Sequence, residues 1–257
     1  MTAAAHPAAE KIALQMRAVS VPSLHDPTAC VAADVNWSVA RGDFWVVAGP
    51  QRGGKTDFLM MAAGLSAPLQ GEYEALDEPM PVFEDSRLKE RLRVGLVFEG
   101  GKLFQHLTVA ENVALPLCYH ENISFADAWP RVGQMLEWLE LDSWAENFSP
   151  TLSWDLHART GLARALMVKP ELLFLDNPLA RLDARGAAWW REFLGALNRG
   201  HEMTDGRPIT LIVSAEDFRP WRNCARQFAS LRAGRFTVIG DTAALDRGAD
   251  GEMGEWL

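Results

Sequence analysis

The chain has 257 residues, 48% of them hydrophobic, and a formal net charge of −9. That length and apolar content suit one large α/β domain or two small ones with a sizeable core, and the acidic balance argues against a nucleic-acid-binding surface. Cys30, Cys118 and Cys224 are isolated, which points to a reducing compartment and to neither a zinc site nor a disulfide framework.

The opening MTAAAHPAAE lacks a basic start followed by a long apolar core, so residues 1–10 are read as a disordered start and not a signal peptide. No apolar run approaches the ~18 residues that span a bilayer. Lys11 to Ser20 and Val31 to Val39 read as strands, and Ala40 to Asp43 as the turn into an apolar strand, Phe44 to Ala48. A glycine-rich turn follows, then a helix from Lys55 to Gly64, a short strand at Gly71 to Leu76, a charged helical turn at Ser86 to Arg93 and a buried strand at Val94 to Phe98. A helical block comes next. Thr108 to Leu117 has a helix start and an apolar face. In Phe125 to Leu141, Trp129, Val132, Met135, Leu136 and Leu139 form a core stripe, and Pro130 places the start of regular helix at that proline. Arg159 to Val168 is a further helix. Glu171 to Asp176 is an apolar strand ending in a carboxylate, Ala187 to Asn198 a helix carrying Trp189 and Trp190, and Ile209 to Ser214 another strand. Phe228 to Leu231 and Arg235 to Ile239 form a hairpin around Ala233 and Gly234. Most of the ten tryptophans are expected in the core or in contacts. Strands alternating with helices imply a largely parallel sheet.

Gly49, Pro50, Gln51, Arg52, Gly53, Gly54, Lys55, Thr56 and Asp57 lie between the apolar strand and its helix, and Gly49, Gly54, Lys55 and Thr56 fit G-x-x-x-x-G-K-[ST]. Glycines let successive N–H groups point at phosphate oxygens, and the helix N-terminus adds positive dipole. Lys55 is placed to reach the outer phosphates and Thr56 to hold Mg²⁺, with Asp176 at the end of ELLFLD as the carboxylate of the metal shell.

The order of segments resembles the ATP-binding cassette (ABC) ATPases over residues 11–240. VGLVFEGGKLFQHLTVAENVALPL (94–117) is similar to the Gln-loop region and LSWDLHARTGLARAL (152–166) to the signature and its helix. KPELLFLDNPLARLDA (169–184) is similar to the Mg-binding strand and D-loop, with Asp183 in the latter, and ITLIVSAEDF (209–218) to the switch strand. The phrase F-x-x-G-x-LF-x-x-LTV-x-ENV-x-x-PL is most similar to the Mla-type lipid-transport branch. The resemblance implies an α/β P-loop NTPase of ABC type, with a mainly parallel core sheet, an N-terminal antiparallel β part and a helical insertion. It implies one nucleotide-binding domain over 1–257, with core segments 11–100 and 166–240, a helical subdomain 101–165, and tails at 1–10 and 241–257.

Against the family pattern, several chemical stations are replaced. Asn177 stands where the family has the Glu that activates water, and an amide cannot accept the proton. Ala215 stands at the switch His. Glu99 replaces the Gln of the Gln loop, where it could ligate Mg²⁺ at the cost of added negative charge. In the signature segment Leu152, Ser153, Trp154, Asp155 and Leu156, the family's two glycines are Trp154 and Asp155, an indole and a carboxylate where a partner's γ-phosphate would approach. Arg52 replaces a Gly, either reshaping the loop or supplying charge, and Asp57 replaces a hydroxyl residue near the expected α-phosphate. Leu24 and His25 are poor candidates for adenine stacking. The resemblance thus implies a degenerate ATP-binding subunit that docks on a membrane permease, peripheral on the cytoplasmic face. Its groove would be lined by Glu99 to Leu117, with Leu103, Phe104 and the following helix as an exposed patch. It would pair as a homodimer or with another ABC subunit, binding ATP and Mg²⁺ weakly, with hydrolysis weak or absent. An atypical active ATPase and a non-transport scaffold are the alternatives.

Overall fold

A computed structural model describes residues 11–26, 28–81 and 85–247; the disordered start expected at 1–10 lies outside them. In chain order the elements are β1 (Ile12–Pro22), β2 (Cys30–Ala40), β3 (Phe44–Ala48), α1 (Lys55–Ala62), β4 (Gln70–Ala75), β5 (Glu78–Pro79), α2 (Leu88–Leu92), β6 (Val94–Val97), α3 (Val109–His120), α4 (Phe125–Trp138), α5 (Trp154–Leu166), β7 (Leu172–Leu175), α6 (Ala184–Arg199), β8 (Thr210–Ala215), β9 (Gln227–Arg232), β10 (Arg235–Gly240) and α7 (Thr242–Arg247), with short 3₁₀ turns between.

The strands form one ten-stranded sheet in the order β5-β4-β1-β2-β10-β9-β3-β8-β7-β6. From β9 to β6 every neighbour is parallel, whereas β5, β4, β1 and β2 pair antiparallel. This is the mainly parallel sheet with an N-terminal antiparallel part that the resemblance implies.

The parallel strands are apolar on both faces because both are covered. In β3, Phe44, Val46 and Ala48 enter a core shared with α3 to α6, while Trp45 and Val47 enter a second core shared with β1, β2 and α1. Trp37, Trp45, Phe58 and Phe236 pack ring to ring in the second core.

Four expectations change. First, α4 begins at Phe125, capped by Ser124, so Pro130 sits inside it. The bond its ring removes is the one to the carbonyl of Ala126, on the exposed side of the helix, where water can replace the donor. Second, Trp129 is 41% exposed and lies against exposed Phe125 with tilted rings, and Ala128 takes its place in the core stripe. Third, α5 begins at Trp154, not Arg159, because the Ser153 hydroxyl accepts from the Leu156 N–H and caps the helix there. Fourth, α3 is no exposed patch: Val109, Ala110, Asn112, Val113, Ala114 and Leu117 are buried, and the exposed apolar groups are Phe104 and Tyr119 at its two ends. The expected tail from 241 opens with α7, which buries Leu245.

Candidate functional site

The parallel strands end side by side, and the candidate site lies across their C-terminal ends, where α/β sheets hold ligands. β3 delivers the phosphate loop. The Gly49 N–H donates to the Ala215 carbonyl at 3.1 Å, pinning the loop to the end of β8. The chain then turns so tightly that Gly54 takes φ 83° and Arg52 φ 59°. Arg52 therefore adopts the left-handed conformation that favours glycine, at a cost of ~1–2 kcal/mol. Its guanidinium is free to add positive charge at the rim, where the residue is exposed.

Lys55 opens α1 and is buried; its Nζ donates to the carbonyls of Gly49 and Pro50, both at 2.7 Å. Burial pulls its pKa down, opposed by the carboxylates of Glu216, Asp176 and Glu99. β7 brings Asp176 beside the loop. Thr56 Oγ1 donates to its Oδ2 and Ser214 Oγ to its Oδ1, each at 2.7 Å. A hydroxyl and a buried carboxylate at one helix N-terminus fit the inner shell of a hard cation bound with phosphates. Asn177 follows with φ 44°, its N–H donating to Ser214 Oγ at 2.9 Å and its Nδ2 to Glu99 Oε2 at 3.2 Å. Gln51 Nε2 donates to Glu216 Oε1 at 2.8 Å. Asp57 Oδ1 accepts from the Leu24 N–H at 2.7 Å, tying the β1–β2 loop to α1. Residues 51–57, Leu24, Glu99, Asp176, Asn177 and Glu216 line a cavity of ≈ 1120 Å³ that also includes Arg181 and Ala215.

Glu99, Asp176, Asn177 and Ala215 thus lie around one cavity with residues 51–57. The signature-like segment stands apart from the cavity lining. In the first turn of its helix the Asp155 carboxylate is held within the chain: Oδ1 accepts from Trp190 Nε1 at 3.0 Å, and Oδ2 pairs with Arg159 at 2.8 Å. The Trp154 indole lies against Gly100 and beneath the Arg181 guanidinium, 4.5 Å from the ring centre. Leu152 and Leu156 pack on the core, and Asp183 caps α6 by accepting from the Gly186 N–H at 2.7 Å.

Sequence reasoning missed Ser214, Glu216 and Arg181. Ser214 bonds both Asp176 and the Asn177 N–H, yet it reads in the sequence only as the polar end of an apolar strand. Its partners are set by strand order, which no local pattern carries.

A protein-family model described as "ABC transporter" matches residues 32–180. The probable sulfate/thiosulfate import ATP-binding protein CysA of Chlorella vulgaris is 30% identical over 213 residues, 82% of this chain and 85% of that one. CysA of Bradyrhizobium diazoefficiens is 33% identical over 209 residues, and the methionine import ATP-binding protein MetN of Bifidobacterium longum 29% identical over 210. The chain spans 58% and 50% of the length of these two. Among solved structures, the ADP- and phosphate-bound dimer of the ATP-binding cassette MJ0796 superposes with a TM-score of 0.75 at 26% identity, covering 86% of this chain and 95% of that one. CbiO1 of Clostridium perfringens has the same fold, with a TM-score of 0.75 at 19% identity, covering 95% and 96%.

These relatives are import ATP-binding proteins for sulfate/thiosulfate and methionine, not members of the Mla-type lipid branch, and the lipid expectation is withdrawn. The phrase at 98–117 that suggested it encodes local geometry. Gly100 and Gly101 take positive φ, Thr108 and Glu111 form a capping box, and Asn112 bonds the backbone of residues 104, 107 and 108. Residues fixed by such a turn say nothing about cargo.

Proposed function

The chain belongs to the ABC transporter family, and on that premise we propose that it is the ATP-binding subunit of an importer. In this reading it docks on a membrane permease from the cytoplasmic side, holds Mg-ATP weakly and hydrolyses it slowly. It pairs with a second copy or with another ATP-binding subunit. Among the described residues no helix is long and apolar enough to cross a membrane.

The observation that carries the slow turnover is the carboxylate in the first turn of α5. The phosphate loop and the Thr56–Asp176 pair are built to hold a nucleotide. The segment that would be offered to the facing subunit's nucleotide presents Asp155 in its first turn, held by Trp190 and Arg159. A carboxylate at a helix N-terminus neutralises the dipole that would otherwise attract phosphate. Ala215 and Asn177 add a switch position with no polar side chain and a base position with no base.

The test is direct titration of the full chain with ATP, with and without Mg²⁺, alongside phosphate release and a Lys55→Ala control. Binding that needs Lys55, with release about a hundredfold or more below ordinary transporter rates, supports the reading. Ordinary rates, or no binding, overturn it.

A further inference from the structure

We propose that Arg181 is the cation that receives the outer phosphate of the nucleotide, and that the Trp154 ring holds it in place. The proposal rests on the ATP-site reading above.

The cavity is short of available positive charge. Asp57, Glu99, Asp176, Glu216 and Asp217 line it, against Lys55, Arg52 and Arg181. A phosphate tail brings more negative charge, so the state of each cation matters. Lys55 has donors committed to the Gly49 and Pro50 carbonyls, both at 2.7 Å. Arg52 is exposed, and no ring or carboxylate holds it among the described residues. Arg181 differs from both. Its guanidinium lies 4.5 Å from the centre of the Trp154 ring, and it forms no ion pair and no side-chain hydrogen bond among the described residues. A ring contact occupies the flat face of a guanidinium and leaves its N–H donors, which lie in the plane, free. Arg181 is thus both positioned and uncommitted. Its planar fork suits two oxygens of one phosphate.

The ring stands on the metal side of the cavity. Trp154 lies against Gly100, the neighbour of Glu99, and Glu99 accepts from Asn177, which follows Asp176. The β1–β2 loop meets the phosphate loop elsewhere, where the Leu24 N–H donates to Asp57 and Val31 lies against Gly54. Arg181 is therefore on the side of the Thr56–Asp176 pair, where a cation would hold the outer phosphates. The indole at 154 serves the chain's own cavity by this contact.

The test is titration of the full chain with Mg-ATP and with Mg-ADP. Arg181→Gln removes the charge and keeps an unbranched side chain at this left-handed position (φ 58°); the residue is exposed, so folding is not expected to change. It is expected to weaken ATP binding about tenfold, the size of one hydrogen bond to a charged group, and ADP binding by less than about threefold. Trp154→Leu removes the ring and keeps an apolar side chain against Gly100. It is expected to weaken ATP binding about threefold, the size of an exposed cation–π contact, and to have no effect in a chain already carrying Arg181→Gln. A merely structural role for Trp154 predicts the same loss in both backgrounds, and that result overturns the role of the ring. Unchanged ATP affinity in Arg181→Gln overturns the proposal, as does an equal loss for ATP and ADP, and either leaves the ATP-site reading standing. Absence of ATP binding by the wild type overturns both.

Discussion

Thr56 Oγ1 and Asp176 Oδ2, 120 residues apart in sequence, are joined at 2.7 Å. The start of α1 and the end of β7 therefore meet at one point, where a cation would replace the shared proton. Thr56→Val keeps the shape and removes the oxygen. Its expected effect is a loss of about tenfold, ~1.4 kcal/mol, in the gain of ATP affinity that Mg²⁺ provides. ATP affinity without Mg²⁺ should stay near wild type; titrations with and without the metal check it.

Asp57 places a carboxylate beside the phosphate loop. Its bond to the Leu24 N–H turns it away from the loop without removing its charge. Asp57→Thr should tighten ATP binding by about threefold to tenfold, the size of one partly screened charge repulsion. Because screening weakens that repulsion, the difference between variant and wild type should shrink as salt rises. Parallel titrations at low and high ionic strength measure it.

Asp155 matters to the fold as well as to the site. Trp190 is fully buried and its indole N–H is satisfied by Asp155 Oδ1. Asp155→Ala leaves that donor orphaned and removes an acidic residue from the first turn of α5. The expected destabilisation is about 2 kcal/mol, read by urea unfolding. Arg159 keeps Glu140 at 3.0 Å and its stacking on Trp189, so the helix itself should persist.

Much of this was legible before any coordinates. The run Phe44 to Ala48 is apolar throughout because β3 is buried on both faces, so its bounds came out as they stand. The loop after it announced itself by glycine spacing and Lys55. Ser153 signals the cap of α5, but Trp154 and Asp155 stand where the resemblance has two glycines, which hides the helix start in the sequence. Pro130 misplaced the start of α4 because local propensity counts the missing bond but not the tertiary packing of Ala128, Val132 and Leu136 that offsets it. The pairings Asn177–Glu99 and Gln51–Glu216 depend on which strands are neighbours, and no stretch of sequence contains that.

Glu171 is held by Arg93 through both oxygens, at 2.6 and 3.2 Å, and by Arg41 at 3.2 Å, joining the entries to β3, β6 and β7. The hydrogen bond from Arg93 pulls its carboxyl pKa down, with the Arg93 and Arg41 charges adding to it against a smaller cost of burial. A depressed carboxylate stabilises the fold above its unfolded pKa, and that contribution is lost as pH falls through the folded one. Glu171→Gln should cost about 1 kcal/mol near neutrality, a modest figure because the pair is solvent-screened. Unfolding measured from neutral pH into acid should show the gap between variant and wild type closing below the ordinary glutamate range.

Gly161 of α5 lies against Gly101, so close that a Cβ at 161 would sit 2.4 Å from the Gly101 Cα. Gly161→Ala should destabilise the protein by about 1–3 kcal/mol in thermal or urea unfolding, as overpacking does. Here main chain rests on main chain, with no rotamer between them to give way. Gly101 follows Glu99 by two residues, so a shift of the cavity wall at Glu99 acts on α5 as a rod without slack. The helical block meets the loop after β6 through this backbone contact and through Arg164, whose guanidinium donates to the Gly101 and Lys102 carbonyls at 2.8 and 2.9 Å, so a methyl group at 161 pushes directly on the cavity wall.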